Sequence, residues 1–248
     1  PTRRSSDLFD ESGEAAGTRS VAFVRKADGA DAARLAEGWL AQGFSPDSRE
    51  ALTLSFENRR KLRLYPLSGG QPVDVPETGL EYQWARFFPD GAALLALASE
   101  SSGGLRLFRV PLNGVGAAPI SAPGMVRYAA VSPDSRRVAY LNAAGKLMET
   151  VIGGETRELH ATEPLAPVQW TADGERLYVQ HVRTTALPSR VSKFDPASGR
   201  LETWKEVAPS DPTGVDLITR VLISPDERQV VFSARRIQSE LFTAIGLR

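Results

Sequence analysis

The chain has 248 residues, 42% hydrophobic and 24% charged, with 30 Lys plus Arg against 30 Asp plus Glu and no cysteine. This is enough apolar material for a full core, and no run of about eighteen apolar residues is present to make a membrane-crossing helix. The charge balance leaves no global field to gather nucleic acid or an anionic membrane surface. The missing cysteines remove disulfides, thiolate catalysis and Cys-type zinc sites.

In chain order the first stretch is anomalous. PTRRSSDL, residues 1–8, resembles the translation of a common sequencing-adapter end, so it is read as a library scar and set aside from the fold. On that reading the natural protein continues upstream. Residues 9–38 then read as a partial repeat unit in which FDE (9–11) ends a strand. DAARLAEGWLAQGF, residues 31–44, carries two conflicting signals. Its Ala and Leu content favours an amphipathic helix, whereas the repeat register makes ARLAEG an outer strand and WLAQGF the inner strand of the next unit. The register is preferred, because packing overrides propensity.

From Phe44 onward one phrase recurs: FSPDSREALTL, FFPDGAALLAL from Phe87, VSPDSRRVAYL from Val131, WTADGERLYV from Trp170 and ISPDERQVVF from Ile223. The second turn position falls at Pro46, Pro89, Pro133, Ala172 and Pro225, giving steps of 43, 44, 39 and 53 residues. A period near 40 signals a propeller or solenoid, here with one long insertion. Pro pre-sets φ, Asp47, Asp90, Asp134, Asp173 and Asp226 form the turn, and Gly91 and Gly174 supply its left-handed position. Ser48, Ser135 and Glu227 stand there elsewhere, at some strain. Nearly continuous apolar runs follow each turn, as suits a strand covered on both faces. A Gly-bearing strand and turn come next, then a more polar segment: QPVDVPETG, AAPISAPG, TRELHATEP and RLETWKEV.

Four strands per unit, apolar inside and polar outside, describe a propeller blade. The expected fold is therefore an all-β propeller of about six blades. After the partial blade 9–38, complete blades are expected at 39–79, 80–124, 125–164 and 165–214, then a three-stranded one at 215–248. Ring closure is expected to be incomplete, with an upstream segment as the natural donor of the missing strand. An exposed sheet edge and poor solubility would follow.

Chemistry-bearing groups are sparse. His160 and His181 are the only histidines, and no Gly-x-Ser-x-Gly elbow or His-x-x-x-His pair accompanies them, so both read as surface or structural residues. GVGAAP, residues 114–119, begins like a dinucleotide fingerprint but ends on Pro119 and opens no helix, so it reads as a blade turn. The five turn Asp residues share one register and are structural; no metal, cofactor or catalytic set is expected. Binding is the better-supported activity. Residues of the innermost strands face the channel or its rim: Tyr82, Trp84, Arg86, Arg127, Tyr128, Gln169, Trp170 and Arg220 are the candidate contacts, since aromatic and Arg residues are enriched at hot spots. Packing between blades is the competing role of Trp84 and Trp170. The loops of the long blade, RTTALPSR (183–190) and EVAPSDPTG (206–214), are the expected specificity loops.

The Ser-Pro-Asp-Gly repeat followed by VAY or VVF resembles the TolB-like, PD-type β-propellers of bacteria, over essentially everything from Phe9 on. SVAFVRKADGADAARLAEGWLAQGFSPDSREAL and the ending SARRIQSELFTAIGLR are similar to the propeller half of membrane-spanning bacterial serine/threonine kinases. That resemblance implies a cytoplasmic kinase domain, one transmembrane helix, and this propeller outside the membrane as a sensor of a protein or small-molecule ligand. No kinase motif is in the chain itself. Two other functions share the fold: the propeller of a prolyl-oligopeptidase-like hydrolase, and a free periplasmic scaffold of the TolB kind.

Overall fold

The computed structural model describes residues 6–13, 17–26, 31–101, 103–124, 126, 128–182, 187–224 and 226–237. Every regular element among them is a strand, and the strands form six antiparallel sheets that pair in chain order. The first sheet holds β1 (Ser6–Gly13), β2 (Gly17–Lys26) and β3 (Ala33–Glu37). The second holds β4 (Trp39–Phe44), β5 (Glu50–Ser55), β6 (Leu62–Pro66) and β7 (Val73–Asp74). The third holds β8 (Glu81–Phe87), β9 (Ala93–Ser99), β10 (Arg106–Pro111) and β11 (Ala118–Pro119). The fourth holds β12 (Ala129–Val131), β13 (Arg137–Leu141), β14 (Leu147–Val151) and β15 (Thr156–Glu158). The fifth holds β16 (Leu165–Trp170), β17 (Leu177–His181), β18 (Ser189–Phe194) and β19 (Leu201–Val207). The sixth has two described strands, β20 (Val215–Ile223) and β21 (Val230–Arg236). This is a six-bladed propeller.

The helical signal at 31–44 loses to the sheets. Gly38, at φ 76°, turns β3 directly into β4, and its carbonyl accepts the Phe56 amide. A left-handed residue there costs Gly nothing and lets one segment serve two sheets. In the following sheets the strand before a crossing is the fourth and outer one, so β3 holds the outer place and the first sheet lacks a described inner strand. β1 pairs Ser6 with Lys26 and Leu8 with Val24, so its backbone ladder runs into the stretch read as adapter-encoded. The third strand expected of the last blade falls in 238–248, outside the described residues.

The core lies between sheets. β5, β9, β13 and β17 are buried along nearly their whole length, because each is covered by neighbours on both faces. Leu52 and Leu54 pack against Tyr82 and Ala85; Leu95 and Leu97 against Val126 and Ala129; Ala139 against Leu165 and Trp170; Tyr178 and Val191 against Ile218 and Val221. Each second strand thus presses on the inner strand of the next sheet. The outer strands β7 and β11 are fully exposed and only two residues long, which limits the edge they offer to other chains.

The recurrent turn is built around a hydroxyl. Ser45 Oγ donates to Asp47 Oδ1 at 2.6 Å and accepts the Glu50 amide at 3.0 Å, while Asp47 Oδ1 accepts the Arg49 amide at 3.1 Å. Ser132, Thr171 and Ser224 repeat the arrangement with Asp134, Asp173 and Asp226. The closing residue has positive φ in all five turns: Ser48 58°, Gly91 71°, Ser135 60°, Gly174 73° and Glu227 58°. Successive turns also touch. The Asp90 amide donates to Ser135 Oγ at 3.1 Å, Arg137 Nη2 to the Gly174 carbonyl at 2.6 Å, and Lys193 Nζ to Glu227 Oε2 at 2.8 Å. The phrase read as a hairpin signal therefore also joins neighbouring blades.

A consequence is checkable by substitution. Ser48→Gly relieves a left-handed non-Gly residue and is expected to stabilise the fold by about 0.5–1 kcal/mol, against a small entropic loss. Ser135→Gly, which also deletes the acceptor for Asp90, is expected to gain less. Urea midpoints of the two variants against the parent give the comparison.

Candidate binding surface on the inner strands

From the second sheet on, the first strand of each sheet is its inner strand, and inner strands touch between the second and third, the fourth and fifth, and the fifth and sixth sheets. Four of them carry bulges: β4 at Gln42, β8 at Gln83, β16 at Val168, and β20 at two positions. A bulge inserts one unpaired residue and re-aims its neighbours. Tyr82 and Trp84 would share a face in a regular strand. With Gln83 inserted, Tyr82 enters the core between the second and third sheets, and Trp84 packs against the core between the third and fourth.

This geometry sorts the sequence-derived candidates. Tyr82 is 1% exposed and its hydroxyl is hydrogen-bonded to Thr78 Oγ1 at 2.7 Å; burial raises the pKa of the phenol. Trp170 is buried, its Nε1 donates to the Ala130 carbonyl at 3.1 Å, and the Arg137 guanidinium lies 4.3 Å from its ring centroid. Gln169 grips the neighbouring inner strand with both amide atoms: Nε2 donates to the Ile223 carbonyl at 3.1 Å and Oε1 accepts its amide at 3.2 Å. Expected as ligand contacts, these three are spent on joining blades, because the inner strands lie close enough to bond one another directly. Gln42, absent from the candidates, makes a related bond: its Oε1 accepts the Ala85 amide at 3.0 Å.

Trp84, Arg86 and Tyr128 remain partly open. The Arg86 guanidinium lies 5.1 Å from the Trp84 ring centroid. Tyr128 stands five residues before Pro133, as Trp84 stands five before Pro89, so the two aromatics occupy one register on adjacent blades. An aromatic ring backed by a guanidinium can bind a flat or apolar group and orient an anionic one. Arg127 and Pro225 lie outside the described residues. Arg220 is in β20 opposite Ser233, and its side chain is outside the description. Of the long-blade loops, residues 183–186 are likewise outside, and Ala208 and residues 210–214 are exposed to the solvent, with Pro209 half-buried.

Among the described residues there is one triad-like set. His181 Nδ1 is 3.0 Å from Glu163 Oε2 and its Nε2 is 2.9 Å from Ser192 Oγ. The chemistry of a Ser–His–carboxylate relay requires a nucleophile that meets a substrate. Ser192 is 0% exposed and lies inside the fifth sheet, so here the three groups satisfy one another. Exposed His160 joins no such set, and among the described residues no three His, Cys, Asp or Glu side chains cluster as metal ligands do. No described helix is long and apolar enough to cross a membrane.

The turn carboxylates are held below the usual range. Asp47, Asp134, Asp173 and Asp226 are each lowered first by the hydroxyl two residues earlier and then by a backbone amide. Their stabilisation is complete above the unfolded value of about 3.9 and is lost as pH falls from there through the folded values. Urea midpoints are therefore expected to hold between pH 7 and 5 and to drop between pH 4 and 3. Asp47→Asn is expected to flatten part of that drop.

The sequence matches no family model and no curated protein. Among solved structures the chain is similar to TolB from Acinetobacter baumannii, with a TM-score of 0.71 and 20% identity, covering 94% of this chain and 58% of that one. It is also similar to a putative TolB from Agrobacterium tumefaciens, with a TM-score of 0.61 and 18% identity, covering 83% and 74%. A prolyl endopeptidase matches with a TM-score of 0.58 and 15% identity over 95% of this chain and 39% of that one. The chain thus spans little more than half of the Acinetobacter protein, and identities this low establish the TolB-like propeller fold alone.

Proposed function

We propose that this chain is a non-catalytic binding propeller, which takes a protein or small-molecule ligand at the inner-strand surface of Trp84, Arg86 and Tyr128. The observation that carries the reading is the contrast among the inner-strand candidates. Tyr82, Gln169 and Trp170 are consumed by packing and inter-blade bonds, whereas the Trp84–Arg86 stack and Tyr128 keep partly exposed surface at one register. The similarity of residues 20–52 and 233–248 to the propeller half of membrane serine/threonine kinases supports a finer reading, in which the propeller is the extracytoplasmic sensor of such a kinase. Ligand occupancy would then act on an attached kinase through blade arrangement or dimerisation. A second reading, the gating propeller of a prolyl-oligopeptidase-like hydrolase, draws on the fold shared with the prolyl endopeptidase.

The test is site-directed photocrosslinking. Benzoyl-phenylalanine at position 84 or 128, in protein exported to a bacterial periplasm, is expected to give discrete adducts that the same group at exposed Val115 does not give. Arg86→Ala is expected to weaken the adduct from position 128 several-fold. Equal, diffuse labelling from 84, 128 and 115 would remove the basis for this surface.

A further inference from the structure

Residues 112–117 join β10 to β11, and they hold a pair whose chemistry the proposed binding surface does not use. Asn113 is followed by Gly114, which adopts φ 73° and donates its amide to the Pro111 carbonyl at 2.9 Å. This loop sits hard on the segment that crosses from the second sheet to the third. A Cβ on Gly114 would stand 2.6 Å from Pro76 Cβ and 3.2 Å from the Pro76 carbonyl oxygen, so only Gly allows the approach. Leu112 and Ala117, on either side, pack against the core between the second and third sheets.

The side-chain amide of an asparagine can be attacked by the backbone nitrogen of the next residue, closing a cyclic imide. At Asn113 that nitrogen belongs to Gly, so no Cβ shields it. Asn113 Oδ1 accepts the Val115 amide at 3.1 Å, a donor placed where negative charge develops as Cγ becomes tetrahedral. Asn113 is exposed and its Nδ2 has no partner among the described residues, so base reaches the reacting groups and ammonia leaves freely. The opposing term is the Gly114 to Pro111 hydrogen bond, which must open to free the amide proton; one bond in an exposed loop opens at low cost. The other two asparagines of the chain are Asn58 and Asn142. Each accepts the amide two residues on in the same way, at 3.1 and 3.0 Å, but the residues that follow them are Arg59 and Ala143. They isolate the contribution of the Gly.

We propose that Asn113 is a self-modifying site of the folded protein, and that its isoaspartyl product unseats this loop from Pro76. Gly114 N bonds to Asn113 Cγ, the Cγ–Nδ2 bond breaks, and Nδ2 departs as ammonia with the proton that Gly114 N gives up. Water then opens the imide at either carbonyl. Cleavage between Gly114 N and Cγ leaves an ordinary aspartate. Cleavage between Gly114 N and the main-chain carbonyl carbon of residue 113 leaves isoaspartate, whose main chain runs through Cβ and Cγ. Both products add one negative charge, and nothing is oxidised or reduced. Only isoaspartate lengthens the backbone, by one methylene, immediately before the residue that has no room to spare against Pro76.

The full 248-residue chain, incubated folded in mildly alkaline buffer at physiological temperature, is resolved over time by ion exchange and peptide mapping, with isoaspartate scored by electron-transfer fragmentation. Conversion at Asn113 is expected to run at least tenfold ahead of Asn58 and Asn142, and Asn113→Gln should abolish the acidic species. Asn113→Asp separates charge from backbone. The purified isoaspartyl form should show a lower urea midpoint than this variant, which carries the same charge on a normal main chain. An Asn113 that stays intact in the folded chain and converts only in urea overturns the site. Conversion at Asn58 or Asn142 that keeps pace overturns the role of Gly114, and an isoaspartyl form as stable as N113D overturns the unseating.

Discussion

Trp170→Ala is expected to lower the unfolding free energy by about 3–5 kcal/mol, a large part of a typical domain's stability. The indole is one of the largest side chains in the core between the fourth and fifth sheets, where it packs with Ala130, Ala139, Leu165 and Leu177. Its truncation leaves a cavity, strands the Ala130 carbonyl that accepts Nε1, and removes the ring beneath Arg137. Trp170→Phe keeps much of the volume and loses the donor, so it should cost about 1–2 kcal/mol. Urea denaturation of both variants checks the order. A loss under about 1 kcal/mol for the Ala variant would contradict the assignment of Trp170 to blade packing.

Glu149→Gln is expected to have the next largest effect, about 2 kcal/mol. The Glu149 carboxylate is buried in the fourth sheet, accepts Arg157 Nε at 2.7 Å and lies 3.5 Å from Arg137 Nη1. Both guanidinium groups are partly exposed, so water offsets some of the cost of unpairing them. Arg137 is the shared element: it also donates to the Gly174 carbonyl and covers Trp170. The effects of E149Q and W170A should therefore fall short of additivity, because the first change already loosens what the second removes. A double-mutant cycle on the same urea curves measures that coupling; strict additivity would show that Arg137 does not link the two groups.

The fold was legible because its requirements are local. A hairpin that closes on a left-handed residue needs Gly, or a strained substitute, at one position, and Pro and Asp suit the positions before it. Five such turns at a near-constant step mark out the blades, and Ser48, Ser135 and Glu227 do adopt positive φ where the repeat places them. Strands buried on both faces read as unbroken apolar runs, which is how ALLALAS and LYVQH appear. The hydroxyl before Pro was equally visible, yet its role as the hub of the turn depends on hydrogen bonds that only the folded loop defines. The copy with Phe88 in that place keeps the Asp90 bond to the Ala92 amide without it.

The binding surface was only partly legible, for a physical reason. Alternation assigns inner-strand residues to faces only while the ladder is regular, and one bulge reverses the assignment of everything beyond it. No residue type at Gln83 announces a bulge, so Tyr82 and Trp84 read alike in sequence and part company in the fold. Gln169 finds its partner 54 residues away, and His181 finds Glu163 and Ser192 on the two sides of its own strand. Those contacts follow from sheet register, which spacing along the chain does not carry.

The functional reading turns on whether Ser192, His181 and Glu163 form a satisfied structural network or a reactive one. The direct measurement is covalent labelling of the full chain with a fluorophosphonate probe, read by intact mass and peptide mapping, beside His181→Asn as a control. The account predicts no adduct at Ser192 in the native state, with probe consumption equal to buffer. A stoichiometric adduct at Ser192 that disappears in H181N would contradict it, and would make this propeller a hydrolase in its own right.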